Sequence, residues 1–174
     1  LPSNNLKCTI PAQIFLLPQL ETLVLDGNQI SIDFASIQYA KSLATLSLAS
    51  STISSIDGIS RAPALRKLDV SNNNFVQLPD EVFQISTLHE LYLGPNTFGN
   101  MPIPMTIGSL TELRLFECSN CQLSGKIPAS ISNLKNLVSL NLEDNLLTGP
   151  LPPALETLPD LTFLHLSGNL LEGK

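Results

Sequence analysis

The feature that most constrains this chain is a phrase that returns eight times: apolar residues alternating as x-L-x-L, then, after two further residues, an asparagine or a smaller stand-in. The anchors are Asn4, Asn28, Ser51, Asn73, Asn96, Cys121, Asn145 and Asn169, with successive steps of 24, 23, 22, 23, 25, 24 and 24 residues. A period of this length marks stacked supersecondary units. One unit cannot bury its apolar side alone, so the chain must coil and pile successive turns around a shared core. Such a solenoid normally presents a surface and performs no reaction.

Three inward rows can be read from the pattern. Ahead of each anchor, alternating leucines such as Leu68, Leu140 and Leu161, Leu164, Leu166 turn one side of a short strand inward and the other outward. Seven such strands about 4.8 Å apart make a parallel sheet roughly 30 Å long. In the return half of each unit, pairs spaced i, i+3 run from Ile14 and Leu17 through Ile37 and Ala40 to Leu155 and Leu158, which suits one or two helical turns on the opposite side. The third row is Ile10, Phe34, Ile56, Leu78, Ile103, Ile127 and Leu151. Because every row survives the changes of period, those changes fall in the turns between rows.

The anchor row is read as structural. A tightly turning buried backbone leaves N–H and C=O groups that must be paired, and an asparagine side chain carries both a donor and an acceptor for them. Ser51 and Cys121 are smaller substitutes with weaker bonding.

These residues resemble the leucine-rich repeat family over essentially the whole chain. Three stretches are similar to its plant-type class, with x-G-x-I-P after the leucine that follows the anchor: Leu123-Ser124-Gly125-Lys126-Ile127-Pro128, Leu147-Thr148-Gly149-Pro150-Leu151-Pro152, and Leu6-Lys7-Cys8-Thr9-Ile10-Pro11, where Cys8 takes the glycine place. Leu171-Glu172-Gly173-Lys174 begins a fourth. The repeats anchored at Asn28, Ser51 and Asn73 lack the signature and read as shorter, generic units, for example Ile53-Ser54-Ser55-Ile56 and Phe75-Val76-Gln77-Leu78-Pro79. The family resemblance implies an α/β, right-handed leucine-rich repeat solenoid with a parallel sheet on the concave face and short helical turns and loops on the convex face. The plant-type class implies extracellular recognition domains of receptors, receptor-like proteins and inhibitors. Residues 1–174 form one domain of about seven repeats, cut within a repeat at Leu1 and again at Lys174; with no recognisable caps, it reads as the interior of a longer array.

Other chemistry is disfavoured. A net charge of −6, without a Lys/Arg cluster interleaved with aromatics, argues against nucleic acid and suits a basic or neutral partner. No run approaches the roughly 20 apolar residues of a membrane span. Cys118-Ser119-Asn120-Cys121 spells C-x-x-C, the form of a redox pair or half a metal site. In register, however, Cys118 takes an inward leucine place and Cys121 an anchor place, so both sulfurs are expected to be buried and inert. Cys8 stands far away in sequence, and an odd total of three argues against a disulfide framework. The absence of an N-x-S/T sequon weighs against secretion. His89 and His165 join no recognisable catalytic grouping, so neither enzyme activity, a cofactor nor a metal is expected.

The outward strand positions are left for function, since they carry no packing duty. Their first half is small and polar, whereas the second carries Tyr92, Leu115, Phe163 and His165 among acidic residues. Tyr92, Leu115, Glu117, Asn141, Glu143, Phe163 and His165 are therefore the candidate ligand-binding set, aromatic anchors with a charged rim. They suit a non-catalytic recognition or adhesion module at the cell surface or outside the cell, binding a protein, peptide or glycan. The alternatives are a structural repeat protein of an extracellular assembly, contacting copies of itself or flanking repeats, and an intracellular scaffold.

Overall fold

The computed structural model describes residues 4–173, so Leu1 and Lys174 lie outside the described residues. The strands in chain order are β1 (Lys7–Ile10), β2 (Thr22–Val24), β3 (Gln29–Ile32), β4 (Thr45–Ser47), β5 (Lys67–Asp69), β6 (Glu90–Tyr92), β7 (Leu115–Glu117), β8 (Ser124–Gly125), β9 (Ser139–Asn141), β10 (Leu146–Pro150), β11 (Phe163–His165) and β12 (Leu170–Glu172). β2, β4, β5, β6, β7, β9 and β11 stack in that order into one parallel sheet, the concave face of a right-handed coil. These strands are short because the residue just before the anchor is left-handed: Gly27, Ser50, Asn72, Asn120, Asp144 and Gly168 have φ of 67°, 54°, 50°, 50°, 52° and 68°. Glycine adopts that conformation freely and Asn or Asp tolerates it, so the chain turns there.

Each coil returns through a single 3₁₀ turn. Five of these turns follow a proline, at Pro11, Pro79, Pro104, Pro128 and Pro152. The fixed φ and missing N–H of proline suit a helix start, where the first N–H groups have no partner within the helix.

Two small flanking sheets were not expected from the sequence. β1 pairs with β3 at one end, and β8, β10 and β12 pair at the other. Between them the coils anchored at Ser51 and Asn73 have no flanking strand, and Pro102 touches Ser124 through an isolated bridge. β3 forms although its repeat lacks the plant-type signature.

The anchor row is a hydrogen-bonded ladder. Oδ1 of Asn145 accepts from the N–H groups of Cys121 and Leu123 in the preceding coil, at 3.1 and 2.9 Å, and its Nδ2 donates to the carbonyls of Cys118, Leu142 and Glu143 at 2.8, 3.1 and 3.0 Å. Asn73 repeats the scheme toward Ser51 and Ile53. Where the anchor is too short, the backbone substitutes for it. The carbonyls of Ser51 and Cys121 accept the N–H groups of Ile30 and Phe98, at 3.4 and 3.1 Å, in the place an asparagine Oδ1 would fill. The residues that follow, Thr52 and Gln122, are left-handed at φ 61° and 56°. That conformation is unfavourable for a β-branched threonine, so this solution carries strain.

The inward rows pack as read, with corrections at both ends. Leu68 and Leu140 are fully buried, as are Ile37, Ile59, Val82, Ile107 and Ile131 of the return row. Leu17, expected inside, is 52% exposed; Phe15 is inside instead and stacks on Phe34 with centroids 5.8 Å apart. The larger ring fills the space below Phe34. Leu151 and Leu164 are exposed rather than buried, while Leu161 and Leu166 pack partly against the core. All four belong to the last described coils.

A candidate ligand face on the concave sheet

Register turns the outward positions into a lattice. One row runs Thr22, Thr45, Lys67, Glu90, Leu115, Ser139, Phe163, and the next Val24, Ser47, Asp69, Tyr92, Glu117, Asn141, His165. Six of the seven candidate residues, Tyr92, Leu115, Glu117, Asn141, Phe163 and His165, therefore lie on the concave sheet. Tyr92, Glu117, Asn141 and His165 are consecutive neighbours across four strands, spanning roughly 14 Å at about 4.8 Å per step. Leu115 and Phe163 lie on either side of Ser139. Glu143 stands two residues beyond Asn141.

These side chains differ in freedom. Phe163 is 54% exposed and Leu115 is half-buried. Glu117 accepts the N–H of Ser119 through Oε1 at 2.8 Å, and Asn141 accepts the N–H of Glu143 at 3.1 Å, so one oxygen of each is tied to its own turn. Glu143 Oε1 accepts the Ser167 hydroxyl at 2.5 Å and lies 3.8 Å from His165 Nδ1. Such bonds fix the rotamers of the polar residues before any partner arrives.

The sequence did not reveal the network at the centre of the sheet. Lys67 Nζ donates to Glu90 Oε2 at 2.8 Å and lies 4.7 Å from the Tyr92 ring centroid, while the Tyr92 hydroxyl donates to the same carboxylate oxygen at 3.0 Å. The Lys67 hydrogen bond holds the Glu90 carboxyl below its ordinary range, and that same bond raises the Lys67 ammonium. Burial, followed by the bond to Glu90, pushes the Tyr92 phenol up. Tyr92 is thus held upright with a cation over its ring. The available signal was a lysine and a glutamate one 23-residue step apart at equivalent outward positions.

On the bland half, Ser47 is buried and donates to Asp26 at 2.6 Å, which makes it structural. Cys118 and Cys121 are both fully buried, as their register required, and Cys8 is exposed. Among the described residues no group of His, Cys, Asp or Glu could hold a metal ion, and no helix is long and apolar enough to cross a membrane.

The family described as Leucine Rich Repeat matches residues 64–85, 109–134 and 136–158. Receptor-like protein 41 of Arabidopsis thaliana is 31% identical over 133 residues, covering 72% of this chain and 15% of that protein. The Arabidopsis receptor kinase HAESA, solved in complex with the peptide hormone IDA and the co-receptor SERK1, superposes with a TM-score of 0.86 at 28% identity, over 94% of this chain and 28% of its own. A leucine-rich repeat protein of Leptospira interrogans gives a TM-score of 0.84 at 32% identity, over 94% of this chain and 41% of its own. This chain thus spans less than half the length of each. The ladder, the parallel concave sheet and these matches agree: the chain belongs to the leucine-rich repeat family, with plant-type repeats and shorter generic repeats in one array.

Proposed function

We propose that this chain is a non-catalytic, extracellular or cell-surface recognition module that binds an extended peptide or protein segment across its concave sheet. The observation that carries the reading is the contiguity of Tyr92, Leu115, Glu117, Asn141, Phe163 and His165 on adjacent strands, with Glu143 beside His165. Leu115 and Phe163 flank the small Ser139 on the neighbouring strands, so a partner side chain seated over Ser139 would touch both. Acidic residues around it favour a neutral or basic partner. The likeness to HAESA, whose solved complex holds a peptide hormone, supports a peptide before a glycan.

The test is affinity selection of a random peptide library against the chain, followed by titration of the selected peptides. Tyr92→Ala and Phe163→Ala are each expected to weaken binding by more than about 1 kcal/mol, with Thr45→Ala nearly silent. Binding that ignores both aromatic changes but responds to Val76→Ser or Met105→Ser points instead to lateral packing in a structural array. Val76 and Met105 are 72% and 65% exposed and lie off the concave sheet.

A further inference from the structure

In five coils the anchor asparagine closes the end of its own strand by donating from Nδ2 to the carbonyl three residues earlier: Asn28 to Leu25, Asn73 to Val70, Asn96 to Leu93, Asn145 to Leu142 and Asn169 to Leu166, at 2.8, 3.0, 2.5, 3.1 and 3.0 Å. In the coil anchored at Cys121 the same two places are held by Cys121 and Cys118. Both are free thiols in the structure, the Cys118 thiol donating to Cys121 Sγ at 2.7 Å, which is closer than unbonded sulfurs normally rest though longer than the roughly 2.05 Å of a formed disulfide. The next coil fixes both residues: the Cys121 N–H donates to Asn145 Oδ1 at 3.1 Å, and Asn145 Nδ2 donates to the Cys118 carbonyl at 2.8 Å.

We propose that Cys118 and Cys121 are joined by a disulfide, which supplies covalently the strand-to-anchor tie that asparagine supplies elsewhere by hydrogen bonding. Persistence of the bond in its native setting rests on the extracellular reading above, but its formation is a property of the chain. Two S–H bonds break and one S–S bond forms. The two protons and two electrons pass to a disulfide oxidant such as oxidised glutathione, which becomes two thiols. Burial pushes the Cys118 thiol up, so a closed coil offers little thiolate for exchange. Exchange therefore precedes packing of the turn, and the finished bond is shielded from reductant.

The turn it would tie lies beneath the ligand face. The Ser119 carbonyl oxygen is 2.1 Å from where a Cβ on Gly94 would stand, so this turn packs directly on the coil that carries Tyr92.

The test is to refold the full chain in a glutathione redox buffer, denature it with an alkylating reagent and no reductant, and map the tryptic peptides. The peptide spanning residues 115–126, which contains both cysteines and not Cys8, is expected to be unlabelled and lighter by two hydrogens; after reduction it takes two labels. Two labels without reduction overturn the proposal. Melting of protein refolded in the redox buffer against protein refolded from the unfolded state with reductant present throughout tests the tie itself. Wild type is expected to lose several degrees on reduction, whereas the double variant Cys118→Leu with Cys121→Asn, which restores the pattern of the other coils, is not. An unmoved wild-type melt overturns the structural role. Neither readout involves a ligand, so failure here is distinct from failure of the binding proposal.

Discussion

The flank of residues 121–152 and the flank of residues 51–81 are built from the same inward rows, yet the first forms strands and the second does not. The difference lies in the distance from the anchor to the third inward row. It is six residues in the coils anchored at Asn4, Asn28, Cys121 and Asn145, which carry β1, β3, β8 and β10. It is five in the coils anchored at Ser51 and Asn73, which carry no flanking strand, and seven in the coil anchored at Asn96, which makes an isolated bridge. One residue fewer draws the backbone straight across and removes the groups that would reach the neighbouring coil. In place of the strand pairing, two clefts open, of about 430 and 260 Å³, sharing Ser54, Ser55 and Asp57. The concave sheet and the anchor ladder run through both regions unbroken. The flank is therefore adjustable, and the fold depends on the core and the ladder.

If that is correct, the core should respond alike in both regions. Leu140→Ala and Leu68→Ala, both fully buried, should each cost about 2–5 kcal/mol in urea unfolding, whereas Leu164→Ala, already 41% exposed, should cost less than about 1 kcal/mol. A large gap between the first two would mean that the generic coils are held differently.

The ladder sets the next scale. Asn73→Ala orphans the N–H groups of Ser51 and Ile53 and the carbonyl of Leu48, while the Val70 carbonyl keeps its bond from Asn96 Nδ2, and should cost about 2–3 kcal/mol, since each unsatisfied group carries a penalty of its own. Ser51→Ala should cost about half as much, because the backbone carbonyl there already does part of the bonding.

The flank should give less. Deleting Lys126 shortens the six-residue spacing to five, and should abolish hydrogen-exchange protection in β8 and in the paired part of β10 while leaving β7 and β9 protected. The cost should be about 1–2 kcal/mol for the few bonds lost. Loss of protection in β7 as well would show that the two faces fold as one unit.

The smallest effect concerns the pair of Lys67 and Glu90. Because the folded state lowers the pKa of Glu90, its contribution is present above the ordinary carboxylate range and is lost as pH falls through the folded value. With both side chains more than a third exposed, the effect should stay below about 1 kcal/mol and shrink in salt. Glu90→Gln should remove this part of the acid dependence; an unchanged profile would assign it to other carboxylates.

The fold was largely legible because burial repeats with the sequence: leucines such as Leu68 and anchors such as Asn145 occupy their expected places. What escaped depended on relations between coils. Phe15 replaced Leu17 because the ring of Phe34 waits above it. β3 formed from Gln29–Ile32 without the glycine signature, because spacing and not residue type sets the pairing. The candidate face was legible as a set of outward residues. The coupling of Lys67 with Glu90 and Tyr92 was not, since it needs the strand register. Nor were the turns that bind Glu117 and Asn141 to their own backbone.

The ladder also has a direction. Each asparagine Oδ1 faces backward, so the bonds that complete a coil belong to the residue that begins the next turn: Asn28 serves Leu6, Asn73 serves Ile53, Asn145 serves Leu123 and Asn169 serves Leu147. Nearest-neighbour coupling in this array is thus vectorial, with the accepting side chain of each interface term lying downstream of the coil it stabilises. A repeat lifted from anchor to anchor and grafted elsewhere would leave its own closing contact behind. The transplantable module is offset, running past its strand and turn to include the following asparagine.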